Sequence, residues 1–180
     1  FSGDAEKIAA CNARVKELSD FVQSLRDARV DGRLSFLAVL RAMGETVPEG
    51  MTEAEAAAVF VQKAGKFDAL LAEWRQALAQ RPWDFAGFDL VRGSLPLTLE
   101  MGISQLTGAL TEAAWLTGDA TAARGHWNTL LATAEQMAEP PGLLTLLVQS
   151  RGLNDAAATF QAGIAMGAWT DAELAALPDT

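Results

Sequence analysis

Apolar residues recur along this chain at spacings of three and four, in segments separated by breaks that carry glycine or proline. In the first segment Ile8, Cys11, Val15, Leu18, Val22 and Leu25 make one stripe on a helix over about residues 4–28. The same spacing satisfies a coiled-coil seam for roughly three heptads. The stripe is therefore read as packing on the chain's own helices, with self-association through the first helix as the alternative. Asp31 and Gly32 mark a turn, and residues 33–43 (RLSFLAVLRAM) read as a short apolar helix closed by Gly44.

Pro48 and Gly50 break the next stretch, after which Thr52 and Glu55 match a capping box that opens a helix. Gly65 divides the following run into two helices or kinks a single one, and Phe67, Leu70, Leu71, Trp74 and Leu78 form the apolar face beyond it. Residues 81–96 (RPWDFAGFDLVRGSLP) are the main non-helical connection, with Trp83, Phe85 and Phe88 inside it. That segment reads as a hydrophobic loop joining lobes 1–80 and 97–180 of one helical domain, or as an aromatic lip on a ligand groove. A helical hairpin follows, 97–116 and 120–138, joined by Thr117-Gly118-Asp119 and ended by Pro140-Pro141-Gly142. A helix over 143–166 is predicted next, with a break near Gly152 or Asn154 as an option. Thr170 and Glu173 form a second capping box before a short last helix. The fold class is all-α, an irregular array of antiparallel helical hairpins without significant β-sheet.

Composition agrees. Half of the 180 residues are apolar and tyrosine is absent, which favours helix over strand. At this length roughly 70% of the unfolded chain's surface can be buried, so no staple is needed. The formal net charge is −9, with 14 basic residues that never form a run. A nucleic-acid surface or an anionic-lipid dock needs a basic face, so neither is expected. Cys11 is the only cysteine, which excludes an internal disulfide and a multi-cysteine metal site and reads as a small buried hydrophobe. No stretch reaches the ~18 apolar residues of a membrane span. The chain begins at Phe1 rather than Met, so removal of an N-terminal segment is expected.

No motif specifies a reaction. His126, the single histidine, has no partner chosen by sequence spacing and reads as structural. Glu100 interrupts an apolar run (LPLTLEMGISQL) and reads as lying on that helix's solvent edge or pairing with an arginine. These two are the only residues worth testing for enzymatic chemistry. No cofactor and no metal are expected. Gly102 and Gly108 read as points of close helix approach, and Trp74, Trp115 and Trp127 as core filling. Trp83, with Phe85 and Phe88, is the best candidate for ligand contact.

AWLTGDATAARGHWNTLL resembles a tetratricopeptide unit, and AVFVQKAGKFDALLAEWRQAL has a similar outline. Their glycines, Gly65 and Gly118, lie 53 residues apart, against ~34 in a tandem array. A longer resemblance joins WRQALAQRPWDF, SLPLTLEMG, the hairpin, EPPGLLTLLVQSRGLNDAA and GAWTDAELAAL in that order. These resemble an uncharacterised family of helical bacterial proteins, commonly with an N-terminal membrane anchor. The ending Trp169-Thr170-Asp171 with Leu174 is its most recognisable part. The resemblance implies a fold and an extracytoplasmic or anchored setting, with the cytoplasm as the alternative, and it assigns no chemistry. The function expected is a non-enzymatic interaction or scaffold module with a protein or peptide partner. The alternative is a small-ligand or peptide-binding domain using the 81–96 loop.

Overall fold

The computed structural model describes residues 2–26, 28–30, 33–80, 94–136 and 143–175, with side chains at 12–26, 28–30, 33–80, 98–135, 149–172 and 174. Among these the chain is all-α. Eight helices run in order: α1 (Ser2–Gln23), α2 (Phe36–Ala42), α3 (Glu53–Ala64), α4 (Asp68–Ala79), α5 (Ser94–Leu116), α6 (Ala120–Gln136), α7 (Leu143–Ala165) and α8 (Asp171–Ala175). A two-stranded antiparallel ribbon, β1 (Arg29–Val30) and β2 (Arg33–Leu34), sits between α1 and α2, with Arg29 opposite Leu34 and Val30 opposite Arg33.

Local chemistry accounts for most boundaries. Thr52 and Glu55 make the reciprocal capping box that opens α3. At Gly65 the chain tightens into a 3-10 turn, Gly65–Phe67, so α3 and α4 are separate helices. Gly118 (φ +80°) ends α5 in the left-handed region that favours glycine, and Asp119 Oδ1 accepts the Ala122 N–H to open α6. The α5–α6 pair is the predicted hairpin. α7 runs unbroken through Gly152, which lies against Ala134 of α6, where a Cβ would meet the Ala134 Cβ at 3.2 Å.

The first helix is shorter than its stripe predicts: α1 stops at Gln23, and Leu25 is buried from the turn that follows. The helix expected over 33–43 starts at Phe36, since Arg33 and Leu34 are in β2. Both changes come from the ribbon. Periodicity does not show a two-residue strand whose Leu34 N–H is taken by a carboxylate 78 residues away.

α5 is the central element and packs against α1, α3, α6 and α7. One apolar core draws on Leu18, Val22, Phe36, Phe60, Leu71 and Trp74 together with Ile103, Leu106 and Leu110. The described part of the first-helix stripe (Val15, Leu18, Val22, Leu25) is buried within the chain. A Cβ at Gly102 would lie 2.8 Å from Leu18 Cδ2, so this glycine lets α1 and α5 approach closely. No described helix is long and apolar enough to cross a membrane.

Candidate functional site

The hydroxyls inside the helix seams serve their own helices. Thr107, Thr111, Thr129, Thr133 and Thr159 each donate to the carbonyl four residues earlier, at 2.7–2.9 Å. Two of them also receive bonds from α4: Trp74 Nε1 donates to Thr133 Oγ1 (2.9 Å) and Arg75 Nε to Thr129 Oγ1 (3.0 Å).

His126 belongs to this α4–α6 seam. Arg75 Nη2 lies 3.1 Å from His126 Nδ1. A guanidinium only donates, so Nδ1 accepts and the ring is neutral with its proton on Nε2. Burial and the Arg75 charge both hold its pKa below the ordinary histidine value. The ring is positioned as a structural acceptor.

Glu100 departs from its expected place on a solvent edge. It is 5% exposed, with no arginine pairing to it among the described residues, and burial pushes its carboxyl up to about 7. Glu100 and His126 do not converge. In the antiparallel α5–α6 hairpin, counting from the turn at a rise of 1.5 Å per residue places them roughly 15 Å apart along the axis. Trp83, Phe85 and Phe88 lie outside the described residues, and so does the side chain of Cys11.

Two carboxylates clamp the ribbon and the start of α2. Glu53 accepts from Ser35 Oγ (2.7 Å), Phe36 N (2.6 Å) and Leu37 N (3.3 Å), and so serves the open N–H groups at the α2 N-terminus. Glu112, fully buried on α5, accepts from Leu34 N (2.9 Å) and faces Arg29 Nη2 at 3.1 Å. Burial drives its pKa up, against the opposing pull of Arg29, the Leu34 N–H and Arg33. Removing Arg29, whose own side chain reaches solvent, would leave the Glu112 carboxylate buried without its cation. Arg33 Nη2 donates to Ala165 O at the end of α7 (3.0 Å), fastening the ribbon on its other side.

At the turn end of the hairpin, Trp169 meets Trp127 (4.9 Å), Phe160 (4.9 Å) and Trp115 (5.8 Å). The Arg124 guanidinium sits 4.0 Å over the Trp169 ring and gives a hydrogen bond to Ala168 O (2.8 Å). The three indole N–H groups are buried without an acceptor. Ring packing and the cation hold this corner. Trp169 thus pins the C-terminal turn to the α5–α6 hairpin.

Sequence reasoning missed a small cavity of about 90 Å³ between the end of α1, the ribbon, α5 and α7. Arg26, Arg29 and Arg151 line it together with Asp155, Ser104 and Gln105. Arg151 Nε holds Asp155 at 3.2 and 3.3 Å, and burial raises the Asp155 pKa against that pull. A second opening is broader. Phe21, Ala42 and Met43, with Asp20, Lys63 and Lys66 beside them, line an open trough of about 660 Å³. Lys63 pairs with Glu45 (2.6 Å) and Lys66 with Glu17 (2.9 Å) along it. Among the described residues no three His, Cys, Asp or Glu side chains are grouped to hold a metal ion. Comparison of the chain with protein families, with curated proteins and with solved structures finds no match.

Proposed function

We propose that this chain is a non-enzymatic helical interaction module, which receives an amphipathic segment of a partner protein in the trough between α1, α2 and the α3–α4 turn. The trough itself carries the reading: an open channel of about 660 Å³ with Phe21 and Met43 along it and charged side chains beside them. Such a channel suits a partner helix with apolar anchors at spacings of three and four. The use of His126, Glu53 and Glu112 within the architecture supports the same reading, since each already serves an internal partner. An irregular, tetratricopeptide-like stacking of hairpins, and an extracytoplasmic or membrane-anchored setting, complete the proposal on the strength of sequence resemblance.

Peptides selected from a random displayed library against the folded chain test it. The expected binders carry helical apolar spacing and lose at least tenfold in affinity to Ala42→Glu or Met43→Glu. Selected peptides that bind both variants as they bind the parent would remove the trough from consideration.

A further inference from the structure

The cavity beside the ribbon brings together charges that the sequence scatters. Arg26 comes from the turn after α1, Arg29 from β1 and Arg151 from α7, while the chain as a whole carries a net charge of −9. Gathering three guanidinium groups costs energy unless anions answer them. Glu112 answers Arg29 and Asp155 answers Arg151. Arg26 has no ion-pair partner among the described residues. Arg151 reaches Asp155 through Nε, which leaves the donors of its Nη fork over. An arginine fork matches the oxygens of phosphate or sulfate.

Size and inner lining narrow the ligand. About 90 Å³ is room enough for one tetrahedral oxyanion with a few waters beside it. Ser104, on the buried face of α5, offers a hydroxyl. Gln105 Oε1 is buried with no hydrogen-bond partner, an arrangement that is costly to leave unanswered. That oxygen suits the O–H of a singly protonated oxyanion, and the amide turned end for end offers N–H donors instead. Gly108 completes the wall, and a Cβ there would come within 3.2 Å of Thr159 Oγ1.

We propose that this cavity binds a tetrahedral oxyanion of the phosphate class, free or as the head of a small phosphomonoester, held by Arg26, Arg29 and Arg151. The site is separate from the trough and stands whether or not the trough binds a partner.

Calorimetric titration with inorganic phosphate, sulfate, acetate and glycerol phosphate, at ionic strength held constant with chloride, tests it. Saturable binding of phosphate or sulfate is expected, weakened at least tenfold by Arg26→Gln and by Arg151→Gln. Both side chains are solvent-exposed, and unchanged melting temperatures without ligand confirm that the variants fold. Stronger binding of inorganic phosphate identifies a free ion and stronger binding of glycerol phosphate a head group; with the same arginine dependence, either result supports the proposal. Binding of acetate alone, no saturable heat above chloride, or variants that bind as the parent does would overturn it.

Discussion

A carboxylate taken out of water holds its proton more tightly, and Glu100 feels this most plainly among the described side chains. Its folded value of about 7 lies above the ordinary 4.5, so the folded protein binds more protons than the unfolded chain between those limits. Stability associated with Glu100 is therefore present at low pH and falls as the pH rises through that window. The shift corresponds to about 3 kcal/mol. Glu100→Gln removes the ionisation, so the variant should resist urea better than the parent at pH 8, with the difference vanishing near pH 4. Parallel stability–pH curves for the two proteins would refute this assignment. His126 acts with the opposite sign. Its lowered pKa favours the fold above pH 6.5, and that contribution is lost as the pH falls through its folded value. Neither residue's environment was legible beforehand, because burial of one position among apolar neighbours depends on which helix covers it.

Elements were more legible than residues. The Thr52–Glu55 box and the Gly118 turn each carry local chemistry that acts before any tertiary contact forms, and both stand where expected. The ribbon was hidden because its fastening is tertiary: Glu112 of α5 accepts the Leu34 N–H across 78 residues of chain. The seams offer a paired test of glycine. At Gly163 of α7 a Cβ would stand 2.4 Å from Trp169 Nε1 and 2.6 Å from a ring carbon of Trp115. Gly163→Ala should cost about 1–3 kcal/mol, since indoles wedged on two sides cannot give way freely. Gly125 of α6 is exposed, and a Cβ placed there would meet nothing within 4 Å, so Gly125→Ala should gain about 0.5–1 kcal/mol through helix propensity alone. Chemical denaturation of the two variants gives both numbers, and equal effects would remove the close-packing argument.

At the scale of the whole molecule, α5 ties the N-terminal helices to the C-terminal ones, and the core crosses between them. Amide exchange should report this. The slowest amides of α1 and α3 and those of α5 and α6 should share one opening free energy, whereas plateaus separated by more than about 1 kcal/mol would show two independently opening halves. The arginine-lined cavity belongs to this scale too. Arg26, Arg29 and Arg151 are unremarkable one by one in the sequence, and only the packing of α7 beside the ribbon gathers them. Charge counting along a chain detects runs, and these three do not form one.

The two carboxylate clamps, one on the start of α2 and one on the ribbon, have a consequence for the order in which the chain assembles. Phe36 and Glu53 are 17 residues apart, whereas Leu34 and Glu112 are 78 apart. Closing the shorter loop costs less chain entropy, and the long one closes only after α5 has found its place. The Glu53 clasp is thus an early, local event, and the Glu112 clasp a late one that seals the ribbon down. Nascent chains released before α5 emerges carry the first fastening without the second, so the walls of the arginine cavity come together only at the end of folding.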